Sequence, residues 1–271
     1  MNGSAFGVRW TVGDVSDFGF EALRLSIWGA AKAFGPDAAL AVVVNSLPVE
    51  EARRRTGPVP DHVAWLEAGG MPESLKTCLD QGMAEGVAWK LAPLRIFPDR
   101  FEIALDNDCI LWEMPPTVDI WRREEPPRCL IAADVKNAFG VFTDVTRPEP
   151  RNTGIRGFPP GYEPEEALQA VLREHPLPLR SELDEQGLQA VAMDRGRPAH
   201  IVSTEEVTIC SPFWPQQPYL GRAGAHFVGL NARHLPWSYY DRPASECVAE
   251  NWLKHRAEIH RRIGLEELQA T

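Results

Sequence analysis

Cysteine is scarce and irregularly placed in this chain. Its 271 residues include five cysteines, an odd number, and no two of them form a C-x-x-C pair. Such a distribution predicts neither a disulfide framework nor a cysteine-bound zinc ion. Free thiols persist in a reducing compartment, so we expect a cytoplasmic protein.

Long hydrophobic runs are missing as well. A membrane-spanning helix requires about 18 or more consecutive apolar residues, and the sequence has no such stretch. The N-terminal segment MNGSAFGVRW contains no basic stretch followed by an apolar one. We therefore expect neither a signal peptide nor a membrane span.

Positive charge is in deficit. The 28 Lys and Arg residues are outnumbered by 38 Asp and Glu residues, which gives a formal net charge of -10. A nucleic-acid partner is therefore not expected. An acidic protein that binds a polyanion needs local compensation from a metal ion, backbone N–H groups or a few placed basic side chains.

Several catalytic signatures are absent too. The sequence has no G-x-S-x-G motif, no glycine-rich phosphate loop and no H-E-x-x-H motif. These absences argue against hydrolase and kinase functions. They also argue against a nucleotidyltransferase acting on sugar phosphates, because the segment VRWTVGDVSD has no counterpart of a glycine-rich N-terminal phosphate loop.

What is present favours an α/β protein. With 44% hydrophobic residues the chain can build one sizeable core, so we expect a single domain over residues 1–271. The patterns predict a strand over 5–12, a helix over 18–34 and a strand over 39–44. This order is the one that a parallel sheet with a crossover helix requires.

The remaining patterns are shorter. Helices are predicted at 48–56, 60–68, 73–83, 164–174, 181–193 and 251–268. Strands are predicted at 101–105, 129–135, 139–143, 199–202, 206–210 and 225–230. Frequent prolines between Pro115 and Pro178 exclude long helices there. We therefore divide the chain into a nucleotide-binding half, residues 1–112, and a loop-rich acceptor half, residues 113–271.

The triplet Asp106-Asn107-Asp108 lies between two apolar runs, FEIAL and CILW. Charged residues are almost never buried unless they are paired or bound to metal. Two carboxylates at the exposed end of a core strand can share Mg²⁺ or Mn²⁺, hard cations that prefer oxygen ligands. The alternative is an Asx turn, in which the carboxylates cap backbone N–H groups.

Several short motifs lie before and after this acidic pair in the sequence. Asn45 follows the second predicted strand, and Lys90 precedes FEIALDNDCILW. The later stretches are Asn152-Thr153-Gly154-Ile155, Asp184-Glu185-Gln186, and His226-Phe227-Val228-Gly229 followed by Pro236-Trp237. Together they resemble the GT-A glycosyltransferases, and in particular the retaining transferases of the glycogenin and lipopolysaccharide galactosyltransferase type.

The resemblance implies a GT-A-like α/β/α sandwich with a mostly parallel central sheet. It implies metal-dependent transfer of a sugar from a nucleotide-diphosphate sugar, with uridine diphosphate as the expected nucleotide, to an unidentified hydroxyl acceptor. Retention is slightly favoured over inversion. Asp106, Asp108 and His226 would hold Mn²⁺ or Mg²⁺. The residues expected to contact the donor are Asp14, Asn45, Lys90, Asn152, Gly154 and Trp237, and those expected to act in catalysis are Asp184 and Glu185.

These residues also have structural interpretations. His226 lies in an apolar segment, AHFVGL, which is typical of a packed core histidine. Lys90 can cover the core with its stem while its ammonium group reaches water. Asp184 fits a capping box with Ser181 at the start of a helix.

The chain departs from the family pattern at two places. The acidic segment reads D-E-Q rather than D-Q-D, and the loop before Pro236 offers Arg233 and His234 where the family has a lysine. A non-catalytic nucleotide-sugar-binding or scaffold protein that keeps the fold is therefore the alternative to a transferase.

Overall fold

The computed structural model describes residues 6–79 and 89–265. The strands are β1 (Phe6–Val12), β2 (Ala39–Val44), β3 (Ala64–Glu67), β4 (Phe101–Leu105), β5 (Cys109–Leu111), β6 (Leu130–Ala133), β7 (Arg151–Phe158), β8 (His200–Val202), β9 (Val207–Ile209), β10 (Gly224–His226), β11 (Ser238–Tyr239) and β12 (Arg242–Pro243). The helices are α1 (Asp17–Phe34), α2 (Val49–Thr56), α3 (Glu73–Lys76), α4 (Pro116–Trp121), α5 (Pro164–Glu174), α6 (Glu182–Met193) and α7 (Ala244–Ile263). Two 3-10 turns lie at Trp89–Leu91 and Gly140–Phe142.

A seven-stranded sheet forms the centre of the structure, in the order β3-β2-β1-β4-β7-β6-β8. Strands β3, β2, β1 and β4 run parallel, β6 and β8 are parallel to each other, and β7 is antiparallel to both its neighbours. A second sheet contains β5, β10 and β9. The predicted α/β fold with a mostly parallel central sheet is therefore confirmed.

Helices cover both faces of the central sheet because alternate strand residues point to opposite sides. Ile103 and Leu105 of β4 share a core with Phe20 and Leu23 of α1. Ala104, between them, packs in a different cluster with Met193 of α6. The result is an α/β/α sandwich.

The N-terminal strand, helix and strand are confirmed over the described residues, with residue 5 outside them. Helix α1 begins after Ser16, whose hydroxyl accepts the N–H of Gly19 at 3.0 Å. It ends at Gly35, where φ is 79°, a value that favours glycine. The cap residues therefore set the length of the helix that crosses over between β1 and β2.

Two predicted elements are wrong. Residues 64–67 form the edge strand β3 instead of part of a helix over 60–68, because they hydrogen-bond to the free edge of β2. Residues 139–143 contain a 3-10 turn instead of a strand, and Gly140 lies there at a φ of 50°. Such a backbone conformation does not fit an extended strand.

Other predicted boundaries shift. The helix over 73–83 is observed at Glu73–Lys76, and residues 80–83 lie outside the described residues. The last helix begins earlier than predicted, at Ala244, and residues 266–268 lie outside the described residues. No helix in the described part of the chain is both long and apolar enough to cross a membrane.

The carboxyl ends of β1, β2 and β4 meet at one edge of the sheet because these strands are parallel. The amino end of β7 lies at the same edge, since it pairs antiparallel to β4. In open α/β sheets this edge is where ligands bind. Asp14, Asn45, Asp106 and Asn152 all belong to segments at this edge.

Helix α1 comes close to β5 at Gly29. A Cβ atom on Gly29 would lie 1.9 Å from the carbonyl oxygen of Leu111. We expect Gly29→Ala to lower the free energy of unfolding by about 1–3 kcal/mol, because the helix must move away from the strand. Gly70→Ala is the matched control, since a Cβ atom there meets nothing within 4 Å. Denaturant unfolding checks this, and equal stability of both variants would contradict the close approach.

Candidate active site

A tight turn joins β4 to β5 and carries Asp106 and Asp108. The N–H of Asp106 donates to the carbonyl of Gly154 at 2.9 Å, and the N–H of Phe227 donates to the carbonyl of Asp108 at 2.9 Å. The N–H of Cys109 closes the turn on the carbonyl of Asp106 at 2.9 Å. The backbone of the turn is thus fixed to both sheets.

Asn107 anchors the turn from the other side. Its amide donates to the carbonyl of Gly19 at 3.1 Å, and it exchanges two hydrogen bonds of 2.6 and 3.0 Å with the side chain of Asn231. The side chain of Asn107 is thereby occupied by other parts of the chain, while the flanking aspartates are placed toward β10.

His226 ends β10 and meets both aspartates. Its Nε2 lies 3.3 Å from Oδ1 of Asp108 and 3.7 Å from Oδ2 of Asp106. One potential ligand atom from each of the three residues lies within 4.8 Å of the others. Asp108 and His226 are buried, and Oδ1 of Asp108 makes no hydrogen bond within the described residues. The three side chains form a cluster that could bind a metal ion.

Gly154 creates the space that His226 occupies. A Cβ atom on Gly154 would lie 2.4 Å from Cε1 and 2.5 Å from Nδ1 of the imidazole. The N–H of Gly154 donates to Oδ1 of Asn152 at 2.7 Å, and the Asn152 amide donates to Asp134 at 3.1 Å. The Asn152 and Gly154 pair therefore shapes the wall beside the histidine.

Lys90 points into the cluster instead of toward water. Its Nζ donates to Oδ2 of Asp106 at 2.8 Å and to Oγ1 of Thr153 at 3.1 Å. Burial alone would lower the pKa of Lys90, but the charges of Asp106 and Glu185 hold it above its ordinary value. The ammonium group therefore stays positive at the centre of the site.

The carboxylates and the imidazole also shift the pKa values of one another. Burial favours the neutral form of both Asp106 and His226. The charges of Lys90 and His226 nevertheless hold the pKa of Asp106 below its ordinary value. The close approach of Asp108 and the charges of both aspartates hold the pKa of His226 above its ordinary value. The cluster therefore attracts positive charge, as a metal site does.

Asp184 lies at the start of α6, where it caps the helix. Its Oδ2 accepts the N–H groups of Arg180 and Ser181 at 2.8 and 3.0 Å, and its Oδ1 accepts the N–H of Val141 at 2.9 Å. A Cβ atom on Gly140 would lie 2.0 Å from Oδ1. Both oxygens are thus engaged by backbone groups, as the capping-box interpretation predicts.

Glu185, one residue further on, is buried and contacts Gln189. Its carboxylate accepts a hydrogen bond from the side-chain amide of Gln189. The side-chain oxygen of Gln189, Oε1, in turn accepts a hydrogen bond from Arg156 at 2.8 Å. Burial raises the pKa of Glu185 to about 7, against the opposing charges of Lys90 and Arg156. A carboxyl group with a pKa near neutrality can gain or lose a proton at physiological pH.

The other predicted donor residues make contacts outside the acidic cluster. Asp14 pairs with Arg55 at 2.7 Å and with Arg233. The Asn45 amide donates to the carbonyl of Ala92 at 3.5 Å. Trp237 lies in a loop, where its ring packs against Phe213, and it is not part of the acidic cluster.

A cavity of about 150 Å³ opens beside the cluster. It is lined by Thr11, Val15, Lys90, Leu105, Asp106, Asn107, Arg156 and Asn231. Lys90 and Asp106 were predicted from the sequence, and Arg156 and Asn231 were not. The one available signal for Arg156 is its charge within the otherwise uncharged stretch NTGIRGF, since a buried arginine calls for a buried partner.

The sheet order, the helices on its two faces and the acidic turn after β4 define a GT-A-like fold, the fold of glycosyltransferases. Mouse xyloside xylosyltransferase 1 in its apo form has a TM-score of 0.54 and 11% identity, over 84% of this chain and 98% of that one. An active-site mutant of LgtC has a TM-score of 0.52 and 10% identity, over 92% of this chain and 95% of that one. The galactosyltransferase LgtC in complex with donor and acceptor sugar analogs has a TM-score of 0.50 and 9% identity over the same shares.

These likenesses establish the fold. In contrast, neither the protein-family models nor the curated proteins contain a match to this sequence. The activity must therefore be argued from the side chains.

Gly154 provides a test of the His226 position. We expect Gly154→Ala to weaken Mn²⁺ binding at least about tenfold, because the added methyl group displaces the imidazole from the aspartates. Titration calorimetry with Mn²⁺ alone checks this. Gly70→Ala should leave the affinity unchanged, and an unaltered affinity in Gly154→Ala would remove His226 from the metal site.

Proposed function

We propose that the chain is a metal-dependent glycosyltransferase. It moves a sugar from a nucleotide-diphosphate sugar, with uridine diphosphate as the expected nucleotide, to a hydroxyl group of an acceptor. The observation that carries the proposal is the convergence of Asp106, Asp108 and His226 at the carboxyl edge of the sheet, with Lys90 bonded to Asp106. We further propose that residues 1–271 act as one domain, with the donor at the 1–112 half and the acceptor at the 113–271 half.

The cluster fits a divalent cation. A buried acceptor without a partner, such as Oδ1 of Asp108, is unfavourable unless something else binds it. Two carboxylates and a neutral imidazole suit Mn²⁺, and carboxylates also suit Mg²⁺. Asp106, Asp108 and His226 would hold the ion, which would stabilise the negative charge of the diphosphate as a Lewis acid.

The transfer requires one bond to break and one to form. The bond between the anomeric carbon and the donor phosphate oxygen breaks, and its electron pair leaves with the nucleoside diphosphate. The acceptor oxygen bonds to that carbon, and its proton leaves to a base or to the diphosphate. Lys90 adds positive charge where negative charge develops, and Asp106 orients its ammonium group.

We assign different roles to the two acidic residues of α6. Asp184 holds the 139–142 loop and the helix start, because its oxygens are used by backbone N–H groups. Glu185 is buried within the field of the Lys90 charge, and its pKa of about 7 lets it exchange a proton near neutral pH. Retention remains the preferred stereochemistry on the strength of the family resemblance.

We propose the donor contacts from the positions of the residues at the carboxyl edge of the sheet. Asn45 and Asp14 follow β2 and β1, where the nucleoside would lie, and Lys90 lies beside the diphosphate. Asn152 and Gly154 position His226 from the opposite wall. Trp237 was predicted as a donor contact, and because it packs on Phe213 in a loop we propose instead that it contacts the acceptor. All five cysteines are free thiols, which supports a cytoplasmic location.

A non-catalytic nucleotide-sugar-binding protein of the same fold is the second candidate. The observation in its favour is that Asp184, predicted for chemistry, uses its carboxylate to cap the start of α6. Binding of the uridine nucleotide without turnover of any uridine diphosphate sugar would favour this candidate.

Thermal unfolding tests the metal and the nucleotide together. We expect Mn²⁺ with uridine diphosphate, at 100 times its dissociation constant, to add about 2.7 kcal/mol to the free energy of unfolding. Asp108→Asn should lose the metal-dependent part of the Tm shift, because an amide is a weaker ligand of the same shape. The control Asp144→Asn, at an exposed position, should keep the full shift. A full shift in Asp108→Asn would contradict the metal assignment.

The pH dependence of Mn²⁺ binding tests His226. Its pKa lies above the ordinary value of about 6.5, so protons compete with the metal for the imidazole as the pH falls. We expect the dissociation constant for Mn²⁺ to rise by up to about tenfold per pH unit between roughly pH 8 and 6. Calorimetry at several pH values checks this. His226→Gln should bind more weakly and lose the dependence, whereas identical pH profiles would rule out the histidine ligand.

A further inference from the structure

An exposed group of aromatic rings lies on two loops, one after β9 and one before the last helix. We call it the aromatic platform: Phe213, Trp214, Trp237, Tyr239 and Tyr240. Trp214 is 82% exposed and Tyr240 is 84% exposed. Aromatic surface of this extent on a loop marks a binding site, because single exposed rings are normally spread over the surface.

The platform consists of two loops that contact each other through aromatic rings and one hydrogen bond. The Phe213 ring lies 4.5 Å from the Trp237 ring and 5.0 Å from the Tyr239 ring, measured between centroids. The N–H of Trp214 donates to the Tyr239 hydroxyl at 3.5 Å. Phe213 is thus the internal support, and the rings of Trp214 and Tyr240 remain available to a ligand.

Tyr240 is held in a strained conformation. It and Asp241 form the two-residue turn between β11 and β12, with φ values of 47° and 61°. Such turns favour Asn and Gly at these positions, because side chains rarely adopt positive φ. An aromatic residue that is strained and 84% exposed adds little to the core, and its ring is free to contact another molecule.

A cavity of about 400 Å³ lies against the platform. Its walls include Tyr239, Tyr240, Arg242, Glu250 and Lys254. The volume falls within the roughly 300–1,000 Å³ of small-molecule sites. Charged groups of both signs beside open aromatic faces do not suit a lipid bilayer or a continuous apolar protein surface. They suit a carbohydrate, whose C–H faces pack on aromatic rings and whose hydroxyl groups bond to charged side chains.

The position of the platform connects it to the chemistry. Strands β9 and β10 are parallel, so their carboxyl ends lie together, and the N–H of Cys210 donates to the carbonyl of His226 at 2.8 Å. The platform begins three residues beyond Cys210, at Phe213. The loop that carries Phe213 and Trp214 thus leaves β9 directly beside the strand that carries His226.

We infer that the aromatic platform and the adjoining cavity bind a carbohydrate acceptor. The role of this sugar as the acceptor rests on the proposed function. The binding of the sugar itself is independent of metal and nucleotide. The hydroxyl that receives the transferred sugar then belongs to a glycan that stacks on Trp214 and Tyr240.

Saturation-transfer NMR and tryptophan fluorescence test the inference without metal or nucleotide. The probes are lactose, maltotriose, cellotriose and triacetylchitotriose. We expect at least one of them to bind the wild-type chain, and Trp214→Ala and Tyr240→Gly to weaken that binding at least tenfold. Tyr240→Gly relieves the positive φ, so the lost affinity does not come from misfolding. Tyr240→Phe, which keeps the ring, and Ile120→Ala, at an exposed apolar position on α4, should bind as the wild type does.

The possible outcomes separate the two proposals. Absence of binding by all four sugars, or equal binding by Trp214→Ala and wild type, overturns the inference. Vesicle binding or self-association that Trp214→Ala abolishes also overturns it, since the platform then has another occupant. Ring-dependent sugar binding without any Mn²⁺ and uridine diphosphate shift in Tm supports the platform and rejects the transferase. A Tm shift with Mn²⁺ and uridine diphosphate, without ring-dependent sugar binding, supports the transferase and rejects the platform.

Discussion

The structure of the site depends on one electrostatic constraint: two aspartates and a histidine meet in a buried space that calls for a cation. Lys90 supplies part of the positive charge through Asp106, but Oδ1 of Asp108 has no hydrogen-bond donor among the described residues. Charges removed from water must be compensated locally, and a divalent ion fits both the shape and the chemistry of this gap. The net charge of -10 adds to this, because a phosphate ligand on an acidic protein needs positive groups close to it.

Topology brings these side chains together from distant parts of the sequence. The parallel strands β1, β2 and β4 end at one edge of the central sheet, and the antiparallel strand β7 begins there. His226 lies at the end of β10, which belongs to the second sheet. Gly154 leaves room for the imidazole, while Asn107 and Asn231 fix the acidic turn. Hydrogen bonds to both sheets and to Asn231 thus hold the acidic turn in place beneath the candidate metal centre.

The sequence predicted some of this for identifiable physical reasons. The strand, helix and strand of the first 44 residues follow from strong apolar periodicity, and Asp106 and Asp108 stood out because they interrupt a buried run. The meeting of these residues with His226 is not a local property, and the family resemblance supplied it. Local patterns also failed at 60–68, where pairing with a sheet edge overrides helix propensity. The capping role of Asp184 was a stated alternative, whereas Arg156 and Asn231 gave no motif and emerge from the cavity they line.

Anomalous diffraction from a crystal soaked with Mn²⁺ and uridine diphosphate tests the central claim most directly. The account predicts a single strong peak bounded by Oδ atoms of Asp106 and Asp108 and by Nε2 of His226, with the diphosphate on its open side. Absence of a peak there, with Oδ1 of Asp108 still without a partner and manganese bound elsewhere, would contradict it.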